Sequence, residues 1–193
     1  MREASLHRVT GETDIRVELR LDGRGEGRIE TGLPFLDHML AQLVRHGRLD
    51  LTLTCRGDLA VDDHHTVEDC ALALGAALDR ALGERRGIAR FGTAYAPLDE
   101  ALARVVVDLS GRPWAEVTLG LARESLGGVA AENFAHFFHS LATAARMALH
   151  VDVLRGRNDH HRIEAAFKAL ALALREAVRA TGEETVPSTK GVL

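Results

Sequence analysis

The chain reads as an α+β fold built from two similar halves, each a small β-sheet with two helices packed on one face. Three observations predict it. The motif HHTVE at residues 64–68 returns as HHRIE at residues 160–164. The same apolar stripe follows both motifs: Val67, Ala71, Leu74 and Leu78 in one, Ile163, Phe167, Leu170 and Leu174 in the other. A helix-like block and then a strand-like block precede each motif in the same order. Self-similarity of this kind is the mark of an internal duplication.

The first half opens with strand candidates at 5–10 and 14–21. Residues 33–46, LPFLDHMLAQLVRH, have helical periodicity, and residues 49–55, LDLTLTC, alternate as a half-buried strand does. The stripe after HHTVE is spaced i, i+4, i+7, i+11, one face of an amphipathic helix. Asp62, Asp63 and Asp159 stand before the histidine pairs, where a helix N-cap is expected. The second half offers strands at 91–96, 103–109 and 114–119, a helix at 130–146 and a strand at 147–153. Each half thus reads strand–strand–helix–strand–helix, with an extra strand around Trp114 in the second. The glycines Gly83 and Gly87 mark the boundary, dividing the chain into 1–86 and 87–193. The tail, GEETVPSTKGVL, is polar, punctuated by Pro187 and Gly191, and expected to be mobile or docked on a partner.

Composition narrows the function classes. A hydrophobic fraction of 46% over 193 residues allows a sizeable core. A net charge of −4 and 4% aromatics exclude a non-specific nucleic-acid binder and a base-stacking platform. No apolar run is long enough to span a bilayer and no signal-like segment opens the chain, so a cytoplasmic protein is expected. Cys55 and Cys70 form neither a CxxC pair nor a disulfide framework, and Cys70 reads as a small core residue.

Ten histidines, most of them clustered, point to metal. On a helix His64 and Glu68 share a face, as do His65 and Glu68, while His64 and His65 point about 100° apart. The motif therefore aims at two places, which suits a pair of metals or one metal plus a supporting role. Imidazole and carboxylate take Mn, Fe, Zn, Co or Ni, and the lack of thiolate leans to the harder end of that range. One histidine near a helix start is an ordinary cap or surface group; two copies in matching stripes are not. Aligning the strands that precede the motifs sets His38 opposite His136. His139, one turn on, rivals His136, whereas His7, His46 and His150 have no equal repeat partner.

The segments PFLDHML, DDHHTVED, NDHHRIEAAFKAL and PSTKG together resemble the imidazoleglycerol-phosphate dehydratase family, over Glu12 to Gly191. The resemblance implies two Mn2+ ions per active site, with His38, His64, His65, Glu68, His136, His160, His161 and Glu164 as ligands. It favours His136 over His139. Ala135 stands where many relatives carry an acidic residue, a departure that bears on local packing. No phosphatase domain, such as is fused to some members, is expected.

The same resemblance implies a homo-oligomeric shell of about two dozen subunits with active sites at their contacts. Its substrate is a phosphorylated imidazole, dehydrated to imidazole acetol phosphate in histidine biosynthesis. Arg90, Arg112, Ser188, Thr189 and Lys190 are the phosphate candidates, with Glu12, Gln42 and His46 also at the substrate. The reaction takes a proton from a carbon that no carbonyl activates, so the ring, held as imidazolate between two metals, must accept the electrons. Glu164 is the first choice of base, Glu12 the next, and Glu68 a third. Two other readings use the same residues. A dinuclear metallohydrolase would activate water, but no separate nucleophile motif is present. A metal store or metal-stapled structural protein would favour closed, cysteine-rich sites.

Overall fold

A computed structural model describes residues 2–193. The first half runs β1 (Glu3–Val9), β2 (Thr13–Arg20), β3 (Gly27–Glu30), α1 (Pro34–Gly47), β4 (Asp50–Gly57) and α2 (His64–Leu82). The second runs β5 (Phe91–Leu98), β6 (Ala101–Asp108), β7 (Trp114–Thr118), the two-residue strands β8 (Ser125–Leu126) and β9 (Val129–Ala130), α3 (Ala131–Ala145), β10 (Ala148–Arg155) and α4 (Asp159–Ala177).

The two sheets have one topology, β1-β2-β4-β3 and β5-β6-β10-β7. In each, the last strand pairs parallel with its neighbour, β3 with β4 and β7 with β10, because a helix crosses over between them. The strand around Trp114 is therefore not an addition to the second half. Its counterpart is β3, which the sequence hides: GRIE is four residues long, mostly exposed, and follows a run rich in glycine and charge. What the second half does add is the β8–β9 hairpin, turned by Gly127 and Gly128 at positive φ.

Alternation explains the strands. Leu51, Leu53 and Cys55 of β4 point inward, and Ala101, Ala103, Val105 and Val107 do so in β6. The helices bury their stripes. α1 begins with Pro34, whose missing N–H costs nothing at that position. α4 is capped by Asn158, which accepts from the N–H groups of His160 and His161. Helices α1 and α2 lie on the first sheet, α3 and α4 on the second. They also pair across the halves, α1 with α4 and α2 with α3, so that a helical layer fills the space between the sheets. One apolar core joins both halves, with Phe134, Phe137, Phe138 and Phe167 fully buried within it. The α2–α3 approach depends on Gly75, where a Cβ would stand 2.7 Å from the Leu141 carbonyl oxygen.

The tail folds back on its own chain. Gly87 N–H donates to the Thr185 carbonyl (3.0 Å), Arg90 reaches the Pro187 carbonyl (2.7 Å), and Gly111 lies against Leu193. No helix among the described residues is long and apolar enough to cross a membrane.

Candidate metal centres

Both repeated motifs occupy the first turn of a long helix, HHTVE on α2 and HHRIE on α4. Cross-pairing of the helices then delivers one histidine from the opposite half to each. His38 of α1 meets α4: its Nε2 lies 3.1 Å from Glu164 Oε2, and His160 Nε2 lies 3.1 Å from the same oxygen. His136 of α3 meets α2: its Nε2 lies 3.4 Å from Glu68 Oε1, and His64 Nε2 lies 3.5 Å from Glu68 Oε2. In each cluster the three ligand atoms fall within 4.8 Å of one another. His136 is thus placed in a cluster, whereas His139 is exposed elsewhere on α3.

The second histidine of each motif turns away. The rings of His64 and His65 stand 6.0 Å apart at 83°, those of His160 and His161 6.2 Å apart at 83°. His65 Nδ1 is held by Asp58 at 2.9 Å, and its Nε2 faces Glu12 at 3.5 Å. His161 Nδ1 is held by Glu100 at 2.7 Å, and its Nε2 faces Asp99 at 4.0 Å. These hydrogen bonds raise the pKa of both imidazoles and hold the Glu100 carboxyl well below the usual carboxylate range. They also settle the tautomer. With Nδ1–H donated to a carboxylate, Nε2 keeps its lone pair for a metal. His64 follows the same scheme through Asn133 Oδ1 (3.1 Å), which Asp63 fixes in turn (2.9 Å).

The donors fit a divalent cation. His136 Nε2 is buried and makes no hydrogen bond, a state that costs free energy unless a ligand satisfies it. Two imidazoles and one carboxylate converge in each cluster and leave coordination positions open, unlike a closed structural site.

The clusters are not equivalent. Glu164 is buried and both its oxygens are engaged, Oε2 by the two histidines and Oε1 by Lys168 Nζ at 2.6 Å. Burial pushes its pKa up, but Lys168, His160 and His38 together bring it down to about 2. The position matching Lys168 after the first motif is Leu72. Lys168 escaped sequence reasoning although its i, i+4 spacing from Glu164 was visible. Asp58, Glu100 and Asn133 also escaped it, because only the fold brings them to the histidines.

The other predicted residues fall into three places. Gln42 and His46 follow His38 along α1 and bond to each other at 3.2 Å. Burial, then the nearby Lys168, lowers the His46 pKa, which places this pair beside the Glu164 cluster. Glu12 stands in the β1–β2 turn, half exposed, beside His65. Arg90 is at the far end of α4: its N–H donates to the Ala177 carbonyl, and its guanidinium holds Asp108 at 2.7 and 3.1 Å. Arg112 is exposed, and Ser188, Thr189 and Lys190 follow the Pro187 carbonyl that Arg90 grips. Helix α4 has 19 residues and so is about 28 Å long. Within one chain, Arg90 and the tail therefore lie at the opposite end of that helix from the Glu164 cluster.

The family model for imidazoleglycerol-phosphate dehydratase matches residues 31–174. Among relatives of that name, the one from Phytophthora nicotianae is 60% identical over 193 residues, covering 100% of this chain and 43% of that protein. The one from Candida glabrata is 55% identical over 208 residues, covering 98% of this chain and 99% of that protein. The solved structure from Staphylococcus aureus superposes with a TM-score of 0.84 at 37% identity, covering 93% of this chain and 99% of that one. The one from Pyrococcus furiosus gives 0.85 at 40% identity, with 97% and 100% covered.

Proposed function

The chain belongs to the imidazoleglycerol-phosphate dehydratase family and is a hydro-lyase of histidine biosynthesis, and we propose that it dehydrates imidazole glycerol phosphate at two-metal sites shared between copies of itself. The observation that carries this reading is the pair of incomplete clusters. Each gathers two histidines and a glutamate, while the second histidine of each motif turns away with its Nε2 near a carboxylate but not hydrogen-bonded.

His38, His160 and Glu164 would hold one Mn2+ and His64, Glu68 and His136 another, with His65 and His161 supplied to the clusters of neighbouring copies. The chemistry the cations supply is Lewis acidity toward the ring nitrogens, which favours imidazolate and lets the ring act as electron sink. Sharing also answers the placement of the phosphate candidates. Arg90 and the tail with Ser188, Thr189 and Lys190 sit at the end of α4 away from their own chain's Glu164 cluster, and the proposal has them, with Arg112, serve the substrate held by another copy. The outer face of the second sheet fits burial in an assembly, since Phe91, Tyr95, Trp114 and Leu154 are 46–63% exposed there. A shell of about two dozen subunits is the proposed assembly.

Of the three glutamates, Glu12 is the proposed base. Glu164 has both oxygens engaged, one by Lys168 and the other by His38 and His160, which leaves neither free to take a proton. Glu68 faces two histidines in its cluster. Glu12 has an uncrowded carboxylate beside His65. The hydroxyl on the ring-adjacent carbon leaves, taking up a proton to depart as water, while Glu12 takes the proton from the next carbon. The enol left behind gains a proton at the ring-adjacent carbon, loses the one on its hydroxyl oxygen, and becomes the ketone of imidazole acetol phosphate. Gln42 and His46, beside Lys168, are the residues proposed to orient the substrate next to the Glu164 cluster.

The test is turnover of imidazole glycerol phosphate by the Mn2+-loaded protein, followed by the appearance of the ketone. Metal-dependent release of inorganic phosphate instead would make it a hydrolase, and metal uptake without turnover would make it a store.

A further inference from the structure

The β1–β2 turn that carries Glu12 is braced in a way its counterpart in the second half is not. Asp69, the residue after Glu68 on α2, is buried and accepts a hydrogen bond from the hydroxyl of Thr13, itself 3% exposed. Arg8 Nη1 lies within ion-pair reach of the same carboxylate oxygen. Thr13 Oγ1 meets Thr10 Oγ1 at 3.3 Å. Thr10 Oγ1 accepts from the Glu12 N–H at 3.1 Å and the Thr13 N–H at 3.0 Å. On the other side, the Glu12 carbonyl accepts from the Asp58 N–H at 3.1 Å, and Asp58 holds His65. A continuous chain of polar contacts thus runs from the metal-motif helix through the turn to Glu12 and back to His65. Helix α2 is seated close enough for this because Gly57 ends β4: a Cβ there would fall 2.0 Å from Thr66 Oγ1.

The duplication supplies its own control. The residues matching Asp69 and Thr13 in the second half are Ala165 and Ala101, yet that half folds to the same topology. Its turn instead places Asp99 at φ 47° and uses Glu100 to accept from the Arg157 and Asn158 N–H groups. The fold therefore does not require the buried carboxylate. Glu100 stands where Glu12 does, but its carboxylate is taken up by His161 and two backbone N–H groups, whereas the first turn leaves the Glu12 carboxylate without a hydrogen bond, 3.5 Å from His65.

We propose that Asp69 is a positioning residue for Glu12, acting through Thr13 and Thr10. The inference rests on the reading of Glu12 as the base. A carboxylate that must meet one C–H bond loses rate steeply when displaced by an ångström, whereas substrate affinity and metal content depend on other groups.

A double-mutant cycle on the Mn2+-loaded enzyme tests it. Asp69→Asn should lower kcat by about tenfold or more while KM and bound metal stay unchanged, and Glu12→Gln should lower it further. The double variant should be no slower than Glu12→Gln alone, because Asp69 has nothing left to position. Additive losses, or a loss of metal in Asp69→Asn, would overturn the inference and leave Asp69 a packing residue. Full turnover by Glu12→Gln would end the reading of Glu12 itself, and this inference with it. Should Asp69→Asn fail to fold, the Thr13 pair decides: Thr13→Ser keeps the hydroxyl and should keep activity, whereas Thr13→Val should show the kcat loss. Equal activity of those two variants would count against the brace.

Discussion

Lys168 Nζ lies 2.6 Å from Glu164 Oε1, one helical turn away, and Leu72 stands at the matching place beyond Glu68. One ammonium therefore separates two clusters that the duplication would otherwise have made alike. It neutralises a buried carboxylate that desolvation alone would push toward protonation.

This relationship sets a pH dependence in the metal-free protein. The Glu164 pKa is depressed from 4.5 to about 2, so its contribution to stability is present above about pH 4.5 and lost as pH falls toward 2. In Lys168→Met the largest opposing influence is gone and burial moves the pKa back up. The wild-type advantage in chemical denaturation should be largest near neutral pH and shrink as both proteins are acidified. An advantage that stays constant from pH 6 to pH 2.5 would show that Lys168 does not act through Glu164.

The two clusters predict about two divalent metals per chain. His64→Ala and His160→Ala, each removing one ligand from a different cluster, should each cost about one metal by elemental analysis after gentle purification. Metal content that neither substitution changes would mean that the ions sit elsewhere.

The proposed sharing of ligands predicts a metal-dependent assembly. Chelation should shrink the particle seen by light scattering, and His65→Ala should reproduce part of the effect at full Mn2+. An unchanged size under both treatments would show contacts held by apolar surface alone, with the exposed aromatic face around Trp114 as the first candidate.

The tail gives a separable effect. Truncation after Glu184, or Lys190→Ala, should raise KM with metal content intact, because the proposed phosphate residues of the tail include none of the cluster ligands. A truncated protein of unchanged KM would remove Ser188, Thr189 and Lys190 from the site.

The fold was legible in the sequence wherever periodicity was. The stripes from Val67 to Leu78 and from Ile163 to Leu174 gave α2 and α4, and the alternation around Leu51 and Leu53 gave β4. β3 was not legible, because a short exposed strand with a single partly buried apolar residue has no pattern to read. The pairing of His38 with His136 came from the repeat alone, and the structure places each beside the opposite half's motif. Residues that act through another were invisible. Asp58 orients His65, Glu100 orients His161 and Asn133 orients His64 only after folding, and no local spacing announces them. Gln42 and His46 were expected at the substrate and stand next to Lys168, whereas the engagement of both Glu164 oxygens, which favours Glu12 as the proposed base, required coordinates.

The central claim is that one copy's cluster works with another copy's outward histidine. Subunit mixing tests it most directly. Glu164→Gln and His65→Ala, each assembled alone with Mn2+, should be nearly inactive. Dissociated by chelation, mixed in equal amounts and reassembled, they should regain about a quarter of wild-type turnover, since sites pairing an intact cluster with an intact histidine then form by chance. Mixed particles, verified by a tag on one variant, that remain as inactive as their parents would contradict the shared site.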